Sequence, residues 1–225
     1  MVNKNSKNTL VLFPYAGAGA FSMHPLYTEL KKILPDYSYY YVGWGSDENK
    51  VLEELNALAK ENTLYFYTHC AGLYLAHRAL TKMEKTPRLC IAGGMIPPSP
   101  KHVAFDIWRF TPDFVLKNVL KKAGLTAQID NNEVFKEVLQ NFRYNTSTFF
   151  NYFKKDLTKL NCNVALIYAD EDVFAKKRNH AISSFTHYFE GDVTMDVIKS
   201  NTHYFCTKNA KEVAKIIKRR IQNND

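Results

Sequence analysis

The sequence alternates short apolar runs with amphipathic stretches, and this alternation constrains the fold more than any other feature. Short apolar runs bounded by turn residues predict buried strands, and apolar residues at helical spacing predict helices that pack on a sheet. We predict strands at 9–13, 37–42, 63–67 and 89–93, and helices at 25–34, 52–58 and 73–83. Strands that alternate with helices build a mostly parallel sheet with helices on its faces. The pattern therefore predicts an α/β fold.

The alternation stops after the fourth predicted strand. Residues 111–122, 133–144 and 148–157 all carry helical patterns with no strand between them. Strands then return at 164–169 and 193–198, with helices near 176–185 and at 209–221. A helical block inside a sheet-forming chain is typical of a lid over an active site. We expect a single domain over 1–225, with 97–158 as a helical lid insertion.

The size and the cysteine spacing fit an ordinary intracellular domain. The chain has 225 residues, 46% of them hydrophobic and 23% charged, which suits one globular domain. Its cysteines are widely spaced with no CxxC pair, so neither a disulfide framework nor a zinc site is indicated: Cys70, Cys90, Cys162 and Cys206. The beginning of the sequence lacks the apolar region of a signal peptide, and no apolar run reaches 18 residues. We expect a cytoplasmic protein without a membrane partner. The sequence leaves the oligomeric state open, with a monomer as our expectation.

The chain is basic, with 30 Lys and Arg against 22 Asp and Glu, a formal net charge of +8. The lysines are spread along the predicted helices, with a modest concentration at 208–220, and no RNP-like or zinc-finger pattern accompanies them. Solvated helix faces account for this pattern, so we predict no nucleic-acid partner. An acidic protein partner stays compatible with the charge.

A cysteine occupies the turn between a predicted strand and a predicted helix. The turn reads Thr68-His69-Cys70-Ala71-Gly72, which matches the GxSxG nucleophile elbow except that cysteine replaces serine and threonine replaces the first glycine. A sharp strand-to-helix turn lifts the nucleophile clear of the sheet. The helix N-terminus favours negative charge and offers free N–H groups. The alternative is that Cys70 is a small buried apolar residue.

Candidates for an acid and a base follow the cysteine along the chain. Asp172 comes just after the predicted strand 164–169, with Asp170 as its rival, and His203 lies between the last strand and the last helix. The order of nucleophile, acid and base is the one that α/β-hydrolases use. We therefore predict a triad of Cys70, Asp172 and His203. A structural role is the alternative for the histidine.

An oxyanion hole requires two backbone donors. In this type of site the residue after the nucleophile supplies one, here Ala71, and the loop after the first strand supplies the other. Tyr15 or Ala16 is the expected second donor. The same loop carries a GxG at Gly17 and Gly19, but it lacks the third glycine of a dinucleotide-binding fingerprint. No metal and no organic cofactor is indicated.

Five segments together resemble a known family. Residues 12–17 resemble an FPHAG motif, 68–72 a GHSMG elbow, 170–172 a GDxDP acid turn, and 203–205 a GGHFF base motif, while 112–153 is similar to lid helices. These are motifs of type II thioesterases from nonribosomal peptide and polyketide assembly lines. The segments follow the family's order and span nearly the whole chain.

The resemblance implies a function. Members of that family have the α/β-hydrolase fold and hydrolyse acyl groups stalled as thioesters on the phosphopantetheine arm of an acyl or peptidyl carrier protein. It therefore implies a carrier protein as partner and an acyl thioester as substrate. The carrier supplies the phosphopantetheine, so the enzyme needs no cofactor of its own.

Three departures from the family pattern bear on this interpretation. Tyr15 replaces a histidine, Asn201 and Thr202 replace two glycines, and Cys70 replaces the serine. A cysteine that attacks a thioester forms another thioester, so the acyl group stays activated. Water, an amine or a thiol then compete as acceptors. Hydrolysis is our prediction, and the alternatives are an acyltransferase, a cyclase or a small-molecule esterase on the same triad, or a homologue that only binds a carrier protein.

The predicted lid region is rich in aromatic residues. We expect an acyl pocket formed by some of the following residues, with simple packing of the lid as the alternative for each: Phe105, Trp108, Phe110, Phe114, Phe149 and Phe150.

Overall fold

The computed structural model describes residues 6–19, 21–95, 107–125, 132–153, 155, 157–175 and 178–224. The strands are β1 (Asn8–Phe13), β2 (Ser38–Tyr41), β3 (Thr63–His69), β4 (Leu89–Gly93), β5 (Val164–Ala169) and β6 (Val193–Ile198). The helices are α1 (His24–Ile33), α2 (Glu48–Glu61), α3 (Gly72–Leu80), α4 (Asp113–Lys122), α5 (Asn132–Phe153), α6 (Ala181–Phe185), α7 (Phe205–Lys208) and α8 (Ala210–Gln222). Short 3₁₀ turns lie at Ile107–Arg109 and Arg178–His180.

The strands form one six-stranded sheet in the order β2-β1-β3-β4-β5-β6. Every pair of neighbouring strands described in it is parallel. Strands β1, β4 and β5 are almost entirely buried, which explains why they read as continuous apolar runs. The edge strand β6 is more exposed, and Ile198 is its one buried residue. The predicted parallel α/β sheet is confirmed.

The chain reverses its direction across the sheet next to β1. It passes from β1 outward to β2 and then back across β1 to β3. Right-handed connections therefore place α1 and α2 on opposite faces of the sheet. Helix α8 packs against α1 and therefore lies on the same face of the sheet as α1. Ligand sites in such sheets lie at the carboxyl ends of the strands beside this reversal, here the ends of β1 and β3.

Two helices that we predicted separately form one. Helix α5 runs unbroken for 22 residues through the polar segment 145–147 that we expected to interrupt it. Thr146 Oγ1 donates to Phe142 O at 2.7 Å and Thr148 Oγ1 donates to Tyr144 O at 2.8 Å. Because these hydroxyls bond back to carbonyls one turn earlier, they are satisfied inside the helix and do not end it.

Other boundaries differ from the sequence expectations. Helix α2 starts earlier, at Glu48, because the Asp47 side chain caps it by accepting from Lys50 N at 2.9 Å. The helix expected at 176–185 is a 3₁₀ turn followed by the short α6, and residues 176 and 177 lie outside the described residues. The C-terminal helix is preceded by α7, which the pattern did not indicate.

Helices α4 and α5 lie between β4 and β5 along the chain, where we expected the lid. Arg143 on α5 binds the start of α4, since its Nη2 donates to Thr111 O at 2.6 Å and to Asp113 Oδ1 at 2.7 Å. Residues 96–106 and 126–131 lie outside the described residues, so the lid boundaries and the single-domain assignment stay predictions. None of the described helices combines the length and apolar character needed to cross a bilayer.

Candidate active site

Cys70 occupies a strained turn between β3 and α3. Its φ of 53° is the one positive value found at a non-glycine residue in the described part of the chain. Such a backbone costs about 1–3 kcal/mol and persists where the surroundings enforce it. Cys70 N donates to Gly93 O at 2.7 Å, and Leu73 N donates to Cys70 O at 3.2 Å. The turn therefore has the strand–turn–helix form of a nucleophile elbow.

Gly72 explains why the elbow needs a glycine after the nucleophile. A Cβ at this position would lie 2.5 Å from Pro14 O and 2.7 Å from Phe13 O. These are backbone atoms that cannot move aside like a flexible side chain. The absence of a side chain thus lets the loop after β1 pack directly on the N-terminus of α3.

The predicted oxyanion donors adjoin this contact. Ala71 is the residue before the first turn of α3, and Tyr15 and Ala16 lie in the loop after β1. Among the described residues, the backbone N–H groups of these three residues donate to no backbone carbonyl. Trp44 Nε1 donates to Tyr15 O at 2.9 Å, which anchors the loop through its carbonyl side. Within the described part of the chain, these N–H groups are therefore available to a ligand.

Asp172 and His203 form a buried pair. His203 Nδ1 donates to Asp172 Oδ2 at 2.8 Å, and Asp172 Oδ1 accepts from Phe174 N at 2.8 Å. The rival carboxylate, Asp170, instead accepts from Ser200 N at 2.8 Å. Of the two predicted acids, the structure places Asp172 on the histidine ring.

The electrostatics of the pair favour a protonated ring. Burial by itself lowers the pKa of His203, but the negative charges of Cys70 and Asp172 outweigh it and raise that pKa above its usual range. Burial raises the pKa of Asp172, but the stronger attraction of His203 lowers that pKa below its usual range. The surroundings thus stabilise an imidazolium next to a carboxylate.

The second nitrogen of the ring faces the nucleophile side. His203 Nε2 is buried and has no hydrogen-bond partner among the described residues. Cys70 is nonetheless close enough for its charge to act on the ring, and both residues line the same cavity. The structure therefore brings the three predicted triad residues together.

The cavity above these groups is small and apolar, with a volume of about 220 Å³. Its remaining described lining residues are Met95, Trp108, Phe142, Thr146, Phe150 and Phe174. The Thr146 hydroxyl donates its hydrogen to Phe142 O at 2.7 Å, inside its own helix. No described lining residue besides the triad members is ionisable. The cavity suits an uncharged group.

The aromatic residues that we predicted for an acyl pocket divide into different roles. Trp108 and Phe150 line the cavity, whereas Phe149 is packed in the core, with its side chain fully buried. Phe110 and Phe114 are 82% and 70% exposed. Phe105 lies outside the described residues.

Sequence reasoning missed four of the lining residues, Met95, Phe142, Thr146 and Phe174. Phe174 carried a usable signal, since it follows the predicted acid by two residues. In the structure its ring lies edge-on to His203, with centroids 4.8 Å apart. Met95 and Phe142 had no signal that separates lining from ordinary packing.

The described residues contain no cluster of three or more potential metal ligands. The four cysteines are buried free thiols, and none of them is paired in a disulfide. Burial raises the pKa of Cys162 to about 12 and also raises those of Cys90 and Cys206. Those three thiols are therefore poor nucleophiles.

Comparison with known proteins identifies the fold. No family model matches the sequence, and no curated protein matches it significantly. The structure is similar to RedJ, a thioesterase of prodiginine biosynthesis from Streptomyces coelicolor (TM-score 0.75, 16% identity, 93% of this chain and 90% of RedJ). It is also similar to BorB, a type II thioesterase of the borrelidin cluster (TM-score 0.73, 16% identity, 97% and 94%), and to human thioesterase 2 (TM-score 0.68, 16% identity, 97% and 96%). The chain thus has the α/β-hydrolase fold of these thioesterases.

Proposed function

We propose that the protein is a thioesterase that removes acyl groups held as phosphopantetheine thioesters on an acyl or peptidyl carrier protein. The observation that carries this proposal is the buried Asp172–His203 pair beside Cys70, which precedes the N-terminus of α3. Cys70 and His203 line the same apolar cavity. Neighbours with the same fold are thioesterases of natural-product pathways, which supports the assignment of the substrate class.

The first half-reaction forms an acyl-enzyme. His203 Nε2 accepts the Cys70 thiol proton, and the thiolate attacks the carbonyl carbon of the substrate thioester. The Ala71 N–H, with that of Tyr15 or Ala16, donates to the oxyanion. When the tetrahedral intermediate collapses, the bond to the phosphopantetheine sulfur breaks and His203 returns the proton to that sulfur. Asp172 stays ionised and orients the ring.

The second half-reaction releases the acid. His203 takes a proton from water, the resulting hydroxide attacks the Cys70 thioester, and the same donors stabilise the second oxyanion. The carbon–sulfur bond to Cys70 then breaks, and His203 returns the proton to the thiol. No metal or organic cofactor takes part in this proposal.

The cavity limits which acyl groups fit. Its volume of about 220 Å³ is below the roughly 300–1,000 Å³ of pockets that enclose drug-sized ligands. Its apolar lining would leave a charged group without a partner, which is costly in a buried site. We therefore propose short, uncharged acyl groups as the substrates.

A second candidate function is acyl transfer, and the identity of the nucleophile favours it. The Cys70 acyl-enzyme is a thioester, so it keeps most of the reactivity of the substrate and can pass the acyl group to an amine or another thiol. An acyltransferase or a cyclase would use the same triad. A homologue that only binds carrier proteins is the remaining alternative.

Intact-protein mass spectrometry tests these candidates. The protein is mixed with carrier proteins loaded with short acyl groups, and the masses of both proteins are followed with time. We expect an acyl adduct on the native protein, absent from Cys70→Ala, followed by free acid. An adduct that disappears only when an amine or thiol is added would assign acyl transfer. Carrier binding without any adduct or product would assign the non-catalytic role and overturn the proposal.

A further inference from the structure

His69, the residue just before the nucleophile, is fully buried and bonded through both ring nitrogens. Its Nε2 lies 2.8 Å from His203 O, across 134 residues of sequence. Its Nδ1 lies 3.1 Å from Tyr67 OH. The residue thus joins the end of β3 to the backbone of the proposed base.

The partners determine the tautomer of His69. A carbonyl oxygen can only accept, so His69 Nε2 carries the hydrogen and donates to His203 O. Nδ1 is then unprotonated and accepts from the Tyr67 hydroxyl. Burial, together with the positive charge of His203, lowers the pKa of His69 to about 3, so the ring stays neutral. His69 is therefore a fixed donor and not a second base.

The surroundings make room for this ring. A Cβ at Gly93 would lie 2.9 Å from His69 Nδ1, and one at Gly94 would lie 3.1 Å from both His69 Nε2 and His203 Cε1. Gly94 also has a φ of 74°. The two glycines at the end of β4 thus leave space in which the rings of His69 and His203 lie close together.

The other side of His203 is held by different contacts. Its backbone N donates to Ala123 O at 2.8 Å, so α4 and its following turn fix the N–H side of the peptide. His69 fixes the carbonyl side. Without His69, the buried carbonyl of His203 would lose its donor, and the backbone would shift to find another.

We propose that His69 is a positioning residue that holds the His203 backbone so that ring atom Nε2 faces Cys70. The inference rests on the proposed function only for its effect on turnover, because the pairing of His203 with Cys70 is measurable without a substrate. A displacement of about 1 Å in such a group costs about 10²-fold in rate.

Two substitutions separate positioning from packing. Gln places its amide nitrogen near the position of histidine Nε2, and Asn places its own near Nδ1. His69→Gln keeps a donor for His203 O, whereas His69→Asn loses it. We expect His69→Asn to lower kcat by about 10²-fold with little change in KM, and His69→Gln to restore most of that loss.

The substrate-free readout is alkylation of Cys70 by iodoacetamide, located by mass spectrometry. An unassisted thiol with a pKa of about 8.5 is roughly 1% ionised at pH 6.5, whereas one paired with an imidazolium reacts there readily. We expect His69→Asn to slow alkylation at least about tenfold at pH 6.5 and to leave the rate at pH 9.5 nearly unchanged. Tyr67→Phe, which removes the hydroxyl that donates to His69 Nδ1, should shift the profile less and in the same direction.

His77 provides the control. It is another buried histidine, bonded through Nδ1 to Tyr152 OH at 2.9 Å. His77→Asn should lower the melting temperature while the alkylation profile stays native. Native profiles for both His69→Asn and Tyr67→Phe, or equal losses in His69→Asn and His69→Gln, would overturn the inference. A shifted profile in a protein that acts on no thioester would leave the inference standing and reject the proposed function.

Discussion

At Cys70, sulfur in place of oxygen changes what the proposed acyl-enzyme can do. The backbone around it is that of a nucleophile elbow, with a positive φ and a helix starting two residues later. A serine would form an oxoester, which is less activated toward amines and thiols than a thioester. In the proposed mechanism, the sulfur therefore makes transfer a competitor to hydrolysis, while the fold is common to both reactions.

Replacing Cys70 tests this choice. Cys70→Ala should abolish acyl uptake, since no other side chain of the elbow can attack. If the native reaction is hydrolysis, Cys70→Ser should keep it with a modest loss. If the native reaction is transfer, Cys70→Ser should lose transfer sharply while slow hydrolysis persists. Product release is measured with and without an added amine or thiol. Full activity in Cys70→Ala would reject the nucleophile assignment.

The two neighbouring carboxylates offer a matched pair of variants. Asp172 accepts from the His203 ring, while Asp170 accepts from Ser200 N. Loss of the orienting carboxylate leaves the ring free to adopt the wrong tautomer. We expect Asp172→Asn to lower kcat by about 10²–10⁴-fold, and Asp170→Asn to change it by only a few-fold. Steady-state kinetics measures both, and a reversed order would make Asp170 the acid.

The buried pair also predicts how stability depends on pH. A lowered pKa of Asp172 contributes stability above the ordinary carboxyl pKa of about 3.9, and this is lost as pH falls through the folded-state value. A raised pKa of His203 contributes stability below the ordinary imidazole pKa of about 6.5, and this is lost as pH rises through the folded-state value. The pair therefore stabilises the fold most between about pH 4 and 6.5.

Thermal unfolding of Asp172→Asn measures this contribution. The melting temperature of the native protein should exceed that of the variant most near pH 5.5, and the gap should narrow toward pH 10 and below pH 3. Asp170→Asn gives the baseline for removing a nearby carboxylate. A gap that stays constant across this range would show that the pair contributes no ionic stabilisation.

At the scale of elements, the site depends on how closely the β1 loop approaches helix α3. Gly72→Ala would place a methyl group 2.5 Å from Pro14 O and 2.7 Å from Phe13 O. We expect a loss of about 1–3 kcal/mol in the free energy of unfolding, as for other overpacked positions. Gly19→Ala is the matched control, because no atom of the described residues beyond its chain neighbours lies within 4 Å of its Cβ position. Urea denaturation compares them, and equal stabilities would contradict the tight contact.

Strand and helix positions were largely predictable, while helix ends were not. Strands β4, β5 and β6 have the predicted bounds because each is a compact apolar or alternating run between turn residues. The break expected within α5 was wrong, since Thr146 satisfies its hydroxyl on a carbonyl of the same helix. Local composition predicted a turn there, and the geometry of the helix accommodated the same residues.

For the whole molecule, the net charge of +8 predicts how a carrier protein would approach. Carrier proteins are typically acidic, so opposite charges should speed association, and salt should screen that attraction. We expect the association rate to fall between about 0.05 and 0.5 M salt. Turnover of a small uncharged thioester, which lacks a carrier, should change little. An association rate unaffected by salt would show that the excess charge has no steering role.

The sequence by itself determined the parallel α/β architecture, because burial of strands and helices leaves a period in the chain. It also indicated the order of the proposed nucleophile, acid and base. The tertiary structure alone decided that Asp172 and not Asp170 meets His203, that Phe174 and not Phe114 lines the cavity, and that His69 holds the His203 backbone. These outcomes depend on the direction of side chains at contacts between distant segments. A pattern along the chain records how deeply a residue is buried, but it does not record which residue it meets there.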